Sequence, residues 1–344
     1  RMDVLQLRAR MSLMLAARSP SEAETLAPVL GVVAAADKIS DAAGDIAKIV
    51  SDEIGLPDAM RGALTEGVET LVRGTVVDDS TYAGRPLGDV DLESLTGVRV
   101  IAVRRDDDWI CNPGPATRLE PGDVTLLRGP EAGVSEVYPA LAGEPFEPDP
   151  PAEPAIDDLE RAVDSIVLMK NLSELSVDLA YGAVLFDTEA LATEVSNLEV
   201  EVDALQSRFE AWTLRAANAA ADPVSLRGLI HLGVATEEIS DAAVEIAEGV
   251  LRDLSVHPVV EMAVRESDEI ITRTPVEAGS ALAGTRVEDG VPATDISTSV
   301  LAIRRPDEGW LVGPDLDTTI RVGDVIISKG TRTSATEFAS LADV

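Results

Sequence analysis

The sequence has few of the residue types on which most catalytic and metal sites are built. It contains a single cysteine, Cys111, which excludes an intrachain disulfide and a thiolate metal cluster. The two histidines, His231 and His257, stand alone and are interpreted as structural residues. We find no Ser/His/Asp or Cys/His set, no HExxH motif, no P-loop and no CxxC. The sequence therefore predicts a protein that is not an enzyme.

Aromatic residues and long apolar segments are also scarce. Aromatics make up 3% of the chain, so a core of leucine, valine, isoleucine and alanine is expected. No apolar run approaches the roughly 20 residues of a membrane-spanning helix, and no signal peptide is visible. These absences predict a cytoplasmic protein. Because a GxGxxG motif is missing as well, we do not expect NAD or ATP to bind through a Rossmann domain.

The charge of the chain is strongly one-sided. Its 62 acidic residues outnumber 28 basic ones and give a net charge of −34. The acids alternate with well-patterned apolar positions, so disorder explains them poorly. Molar salt shortens the Debye length to about 3 Å and would screen their repulsion. We interpret the chain as halophilic, with an acidic protein of a moderately salty mesophile as the alternative. The same charge argues against nucleic acid and anionic lipid as direct partners.

A long internal repeat organises the chain. Residues 31–50 and 231–250 share nine identical positions, and from residue 201 onward the two halves align. A duplication therefore defines the unit that folds. Residues 155–200 read as a helical hairpin that has no counterpart in the first half. We expect the natural protein to have residues upstream of Arg1, or another subunit to fill this place.

Apolar periodicity and turn residues divide the chain into five segments. Residues 1–68 and 155–266 have apolar positions at helical spacing. Residues 69–143 and 267–344 have short β-branched runs separated by turns. The segment 144–154 holds five prolines in 11 residues and is predicted to be a stiff linker. The predicted fold class is α and α+β multidomain, with antiparallel helical bundles alternating with small α+β modules in two copies.

Doubled arginines stand at equivalent places in the two β modules. Arg104-Arg105 and Arg304-Arg305 end the central predicted strand of each module. In so acidic a chain this is a candidate anion site, because a guanidinium group binds phosphate through two parallel hydrogen bonds. The alternative is that these arginines pair with local acids, such as those at residues 106–108 or Asp307.

Acidic residues also recur at helical spacing. Asp37 and Asp41 lie four residues apart on one helical face, as do Glu237 and Asp241. Like charges at this spacing repel each other unless a cation lies between them. A metal site is one interpretation. A solvated acidic face is the simpler one, because no histidine or other committed ligand is nearby in sequence.

Two family resemblances cover nearly the whole chain. Residues 38–47 (KISDAAGDIA) and 238–247 resemble the recurring (R/K)-I-(G/S)-D-x-A-x-(N/D/E)-I-A pattern of the PhoU family. Residues 170–187 resemble the opening helix of archaeal PhoU-related proteins. The β modules are similar to the TrkA C-terminal (RCK-C) domain, with its VxAIxR strand, proline loop and L-x-x-GD strand. These motifs lie at residues 100–104, 119–123 and 129, and again at 300–304, 320–324 and 330. The chain thus resembles a haloarchaeal-type tandem of PhoU-like and RCK-C domains.

The RCK-C resemblance implies a regulator of inorganic ion transport, potassium above all, whose partner is a membrane channel or transporter. Contact with the membrane would then be peripheral, through that partner. RCK-C domains of some transport regulators bind cyclic di-AMP across a dimer interface, and we expect the two modules to pair with pseudo-two-fold symmetry, within or between chains. By position the resemblance implies these binding residues: Val100, Ile101, Arg104 and Pro113, and Val300, Leu301, Arg304 and Pro314.

The PhoU resemblance implies a second possibility. PhoU-like proteins can hold metal clusters on (E/D)xxxD pairs, which Asp37/Asp41 and Glu237/Asp241 match. A divalent or transition metal there would make the protein a regulator of phosphate or divalent-metal homeostasis. A structural adaptor without any ligand is the third possibility. We expect homodimerisation through the helices in each case.

Overall fold

The computed structural model describes residues 2–51, 70–106, 108–147, 157–220, 222–252, 269–287, 298–306, 309–314 and 317–342. The chain divides into two compact units, one from residues 1–63 and 151–267 and the other from 64–150 and 268–344. The elements of the helical unit are α1 (Met2–Ala16), α2 (Pro20–Ser51), α6 (Asp157–Phe186), α7 (Glu189–Ala219), a 3-10 helix (Pro223–Leu226) and α8 (Arg227–Leu251).

The second unit holds both β modules. Its elements are β1 (Thr70–Thr75), α3 (Leu87–Val90), α4 (Leu92–Thr96), β2 (Arg99–Arg105), β3 (Asp108–Cys111), β4 (Val124–Gly129), α5 (Glu131–Ala142), β5 (Glu269–Pro275), β6 (Ser299–Arg305), β7 (Gly309–Val312), β8 (Val325–Thr331) and α9 (Arg332–Ala342). The predicted class of helical bundles and small α+β modules is confirmed. In the described ranges every helix is too short or too polar to span a bilayer.

The core of the helical unit is aliphatic, as the composition predicts. Helices α6, α7 and α8 pack together around Phe209, which is fully buried. Apolar residues recur every three or four positions along α6 and α7 and form the stripes that meet there. Before α8, the Asp222 side chain accepts a hydrogen bond from the amide of Val224 (3.1 Å) and begins the 3-10 helix.

The two copies of the repeated helix pack against each other. Helices α2 and α8 contact each other through small residues, and a Cβ added at Gly249 would lie 3.1 Å from the Pro28 side chain. Lys38 on α2 forms an ion pair with Glu245 on α8. The repeat therefore builds one joint bundle in which each copy of the motif contacts the other.

Each β module contains a four-stranded antiparallel sheet of the same topology. The strand order is β1-β4-β2-β3 in the first sheet and β5-β8-β6-β7 in the second. One face of the first sheet packs on α5. At Gly74, for example, an added Cβ would lie 2.9 Å from the Leu141 side chain of that helix. The central strands shift register at Ile101 and at Leu301, which places a β-bulge at the same point of both modules.

Glycines that both copies of the repeat share have structural reasons, in the turn before the last strand and at the end of that strand. Gly122 has a φ of +88° and Gly323 a φ of +90°, a conformation that favours glycine. Gly129 ends β4 where a Cβ would lie 2.6 Å from the carbonyl oxygen of Gly97. The positive φ accounts for the glycine of the L-x-x-GD pattern in each copy, and the close approach of Gly97 accounts for the glycine that ends β4.

The two modules contact each other within one chain. The hydroxyl oxygens of Ser94 on α4 and Thr331 at the end of β8 lie 2.6 Å apart and share a hydrogen bond. Thr331 also accepts a hydrogen bond from the amide of Ser334 (3.1 Å). The two modules are therefore in contact within the chain, and their pseudo-two-fold pairing stays a prediction.

Candidate functional site

The arginine side chains of the central strands project from the sheet face opposite α5. Side chains alternate between the two faces of a strand. Val103 is fully buried in the core against α5, so its neighbour Arg104 points to the other side. In the same row across the sheet, Arg104 lies opposite Trp109 on β3 and Val124 on β4.

An arginine and a tryptophan lie side by side in this row. The guanidinium carbon of Arg104 lies 5.8 Å from the ring centroid of Trp109, within cation–π range. The Trp109 side chain remains 49% exposed. The Nε atom of Arg104 is shielded from water and has no hydrogen-bond partner among the described residues. The pair offers a hydrogen-bond donor and an open aromatic surface together.

The next row of the sheet adds another arginine. Leu126 on β4 lies opposite Ala102 on β2 and opposite Arg73 on β1. The Arg73 side chain is exposed. Given strands about 4.8 Å apart, Arg73 and Arg104 lie roughly 10–12 Å from each other. The sequence interpretation missed Arg73, although its recurrence as Arg273 in the second copy could have drawn attention to it.

The second module repeats the arrangement. Arg304 lies opposite Trp310 on β7 and Val325 on β8, and Arg273 lies opposite Ile327. Arg304 is exposed. Two of the three tryptophans of the chain thus stand beside equivalent arginines.

The face of the first sheet is basic in an otherwise acidic chain. The strand register places four arginines on the face that carries Arg104. Among the described residues, no acidic strand residue lies on this face. Arg99 lies 3.7 Å from Glu93 of α4 and donates a hydrogen bond to Asn112 (3.2 Å). Positive charge concentrated on one surface attracts anions. The four residues are Arg73, Arg99, Arg104 and Arg128.

The second arginine of each doublet has a structural partner. Arg105 donates two hydrogen bonds to the Asp123 carboxylate, at 2.9 and 2.7 Å. Burial raises the pKa of Asp123, but the hydrogen bonds from Arg105 and from the Glu120 amide outweigh it, so the pKa lies below its ordinary value. At the equivalent place in the second module, Arg305 forms an ion pair with Asp324, with Nε 3.6 Å from the carboxylate.

One arginine of each doublet thus forms an ion pair with an acid of its own module. Arg105 and Arg305 anchor the turn before the last strand, and the acids they bind are Asp123 and Asp324 of the L-x-x-GD pattern. Sequence proximity had suggested the acids at residues 106–108 and Asp307, of which residues 107 and 307 lie outside the described part of the chain. Arg104 and Arg304 remain the members of the doublets that face away from the core.

The other predicted binding residues lie in two environments. Val100 is 6% exposed and packs in the core, whereas Ile101 is half-buried at the bulge. The carbonyl oxygen of Ile101 accepts a hydrogen bond from the amide of Asn112 (2.9 Å), which draws the loop with Pro113 next to the bulge. In the second module Val300 and Pro314 are half-buried and Leu301 is buried. The Leu301 carbonyl likewise accepts from Gly313, next to Pro314.

The predicted metal residues lie on the helices of the repeat. Asp37 and Asp41 belong to α2, and Glu237 and Asp241 belong to α8. The hydrogen bond to Glu245 raises the pKa of Lys38, burial opposes this, and nearby acids including Asp241 raise it further. Within the described part of the chain, no group of three or more Asp, Glu, His or Cys residues is arranged to hold a metal ion.

Two further acids from α7 approach the acidic face of α8. Burial raises the pKa of Glu199, and Asp203 and Asp241 raise it further. Burial also raises the pKa of Glu237, and the nearby carboxylates of Asp241 and Asp203 raise it further. The sequence interpretation missed Glu199 and Asp203, because no pattern within one helix shows which residues a neighbouring helix brings near.

Comparisons with known proteins identify two kinds of domain. The TrkA-C domain model matches residues 71–142 and 271–342, and the PhoU domain model matches residues 166–250. No curated protein matches the chain.

Solved structures provide more distant similarities. The RCK_C domain dimer of S. agalactiae BusR in complex with c-di-AMP is 23% identical, and the match covers 22% of this chain and 95% of that chain, with a TM-score of 0.20. S. agalactiae BusR in complex with its busAB-promotor DNA is 20% identical over 29% of this chain and 49% of that chain, with a TM-score of 0.19. The GsuK channel bound to NAD is 14% identical over 83% of this chain and 58% of that chain, with a TM-score of 0.20. The chain thus spans about half of the length of the two longer proteins.

Proposed function

We infer that this chain, which contains two TrkA-C domains and a PhoU domain, is a regulator of inorganic ion transport that senses a small anionic ligand. The ion is potassium in our proposal, and the partner is a membrane channel or transporter. The observation that carries this proposal is the recurrence of Arg104 beside Trp109, and of Arg304 beside Trp310, at equivalent places in the two sheets. The protein would act in the cytoplasm and reach the membrane only through its partner.

The chemistry of the site fits a ligand that combines phosphate with an aromatic base. Arg104 carries a guanidinium group whose Nε has no hydrogen-bond partner among the described residues, and charge-assisted hydrogen bonds from guanidinium to phosphate are among the strongest that a side chain makes. Trp109 offers a half-exposed ring on which a base can stack. A ligand with two phosphates and two bases could use both modules. We propose cyclic di-AMP, the ligand in the BusR domain structure.

Such a ligand regulates only if it binds one arrangement of the modules better than another. The described contacts between the modules include the side-chain hydrogen bond between Ser94 and Thr331. A ligand bridging the modules would favour the arrangement in which both modules bind it, and the rearrangement would pass to the transporter.

Nucleic acid and lipid are not part of this proposal. Binding to DNA depends on basic residues that neutralise phosphates and release counterions. The net charge of −34 opposes such binding outside the small arginine-bearing faces. One BusR structure contains promoter DNA, and that complex concerns BusR and not this chain.

The test is ligand-dependent thermal melting in molar KCl. At a concentration 100 times its Kd, a ligand that binds only the folded state adds about 2.7 kcal/mol of stability. We expect cyclic di-AMP to raise the Tm, and Arg104→Ala to weaken its binding about 10- to 100-fold, since one charge-assisted hydrogen-bonding group is lost. Arg208→Ala, which removes an exposed arginine of α7, should bind like the wild type.

Other outcomes would redirect the proposal. The absence of a shift with cyclic di-AMP, ATP or phosphate would refute ligand sensing at this face and favour a ligand-free adaptor. A shift caused only by a divalent metal, and lost in Asp41→Ala or Asp241→Ala, would favour a regulator of phosphate or metal homeostasis. The raised pKa values of Asp241 and Glu237 motivate that alternative, because a cation would relieve the repulsion that contributes to them.

A further inference from the structure

The contact between the two β modules joins unlike parts of the repeat. Ser94 lies on α4 of the first module, and Thr331 ends β8 of the second. Their hydroxyl oxygens lie 2.6 Å apart, and Ser94 is 1% exposed. A hydroxyl group this deeply buried destabilises the protein unless it has a hydrogen-bond partner. The first module therefore presents a surface that needs a polar group from the module it contacts.

Thr331 is held by its own module in the position of that polar group. Its hydroxyl oxygen accepts a hydrogen bond from the amide of Ser334 (3.1 Å), in the first turn of α9. The hydroxyl of Ser334, a fully buried residue, donates in turn to the carbonyl oxygen of Thr331 (3.0 Å). A threonine in this place caps the helix. These bonds fix the direction of the Thr331 side chain within the second module.

The equivalent residue of the first module lacks the required group. The repeat aligns Pro130 with Thr331, directly after the glycine that both copies share. Proline has neither a side-chain hydroxyl nor a backbone N–H. The carbonyl oxygen of Pro130 already accepts a hydrogen bond from the amide of Val134 (3.0 Å). A second copy of the first module, placed on Ser94 in the same way, would bury this hydroxyl without the partner that Thr331 supplies.

The next residue differs in charge between the two copies. Arg332 follows Thr331, whereas Glu131 follows Pro130. Helix α4 carries one acid, Glu93, and no base. An arginine brought close to α4 is attracted by that acid, whereas a glutamate is repelled. Charge and hydrogen bonding thus favour the same kind of module on this surface.

We propose that the α4 surface of the first module binds the strand end of the second module in preference to a second copy of its own kind. Specificity is a difference of affinities, and an unpaired buried polar group on the wrong partner produces it. A symmetric pair of two first modules would contain this defect twice, once on each side of its axis. We expect such a pair to be at least about 10-fold weaker than the pair of unlike modules. This preference requires no ligand.

Cysteine cross-linking of the full chain tests the preference, in a background that carries Cys111→Ser. One variant combines Ser94→Cys with Thr331→Cys, and the matched control combines Ser94→Cys with Pro130→Cys. Side chains in direct contact are suited to disulfide formation. Under mild oxidation we expect the first variant to form a disulfide within one chain. The control should give no disulfide-linked dimer on a non-reducing gel.

Two results of this experiment would overturn the proposal. One is a folded first variant that forms no disulfide, because the contact between unlike modules would then be absent. The other is a disulfide-linked dimer of the control, because it would show that two first modules pair through α4. Circular dichroism and the Tm establish that each variant is folded.

A double-mutant cycle measures the same contact without cysteines. Ser94→Ala and Thr331→Val together should show a coupling of about 2- to 10-fold in the unfolding equilibrium constant. Thr331→Ser keeps the hydroxyl group and should keep the coupling. Strictly additive effects of Ser94→Ala and Thr331→Val would also overturn the proposal. Cyclic di-AMP is absent from every arm, so failure here leaves the proposed function standing.

Discussion

Replacing Asp123 by asparagine tests whether the second arginine of the doublet is structural. The Asp123 carboxylate is 2% exposed and accepts three hydrogen bonds, two from Arg105 and one from the amide of Glu120 (2.8 Å). Hydrogen bonds to a charged group contribute about 1.5–3 kcal/mol each. Asparagine keeps a carbonyl oxygen that can accept one of the three.

The expected loss of stability is about 2–3 kcal/mol. Removing one partner of a fully buried ion pair costs about 3–5 kcal/mol, but the Arg105 side chain is 32% exposed and regains part of its hydration. For a domain of this size the urea m-value is about 1–1.5 kcal/mol per M, so the unfolding midpoint of the module should fall by about 2 M.

The assay follows the fluorescence of Trp109, which lies on β3 of the same sheet. Trp212→Phe and Trp310→Phe in the background make Trp109 the only reporter. Asp108→Asn removes the same charge at an exposed position and is the control. An unchanged midpoint for Asp123→Asn, or the same decrease in the control, would refute a structural role of the pair.

The pH dependence provides a second check on the same variant. Because the folded state lowers the pKa of Asp123, its stabilising contribution is present above the unfolded carboxyl pKa of about 4. The contribution is lost as the pH falls through the lower, folded pKa. The wild type and Asp123→Asn should therefore differ from pH 5 to pH 8 and converge in stability below about pH 4.

Three further substitutions probe other contacts. Gly129→Ala should destabilise the first module by about 1–3 kcal/mol in urea unfolding, because its Cβ would meet the Gly97 carbonyl; an unchanged midpoint would contradict that contact. Lys38→Glu should lower the Tm of the helical unit in dilute salt. The loss of stability should be at most about 1 kcal/mol, because the Lys38 and Glu245 side chains are 48% and 36% exposed, and molar KCl should remove it. Glu199→Gln should raise the stability at pH 7 by a few tenths of a kcal/mol, because it removes repulsion between Glu199 and its acidic neighbours. The variant should lose this advantage at lower pH, where the wild-type carboxyl, whose pKa is raised, becomes protonated. A variant less stable than the wild type at pH 7 would refute this repulsion.

Sequence patterns were sufficient for the local structure of the β modules. Short β-branched runs separated by turns predicted strands within residues 69–143, and the structure has strands there. Strands β2 and β3 are neighbours in sequence, but β1 pairs with the last strand, β4, so the patterns predicted the strands and not their order in the sheet. The tandem of TrkA-C and PhoU domains was also recognised correctly.

Contacts between distant segments were beyond such patterns. The pairing of Lys38 with Glu245 and the approach of Glu199 to Asp241 depend on how two helices pack, which periodicity within one helix does not specify. The partner of Arg105 is 18 residues away across a turn, whereas the nearest acids in sequence are adjacent. The ligand and metal residues remain predictions, because each depends on a partner that the sequence does not contain.

The packing of α2 against α8 also has a consequence for synthesis of the protein. Helix α2 leaves the ribosome about 200 residues before the helix that covers it. At 5–20 residues per second, its apolar side stays uncovered for about 10–40 s. The sheet of the first β module, by contrast, contains only strands from residues 70–129 and can form in that interval. The order of translation thus favours completion of the first β module before the helical unit, and leaves the apolar side of nascent α2 uncovered in the meantime.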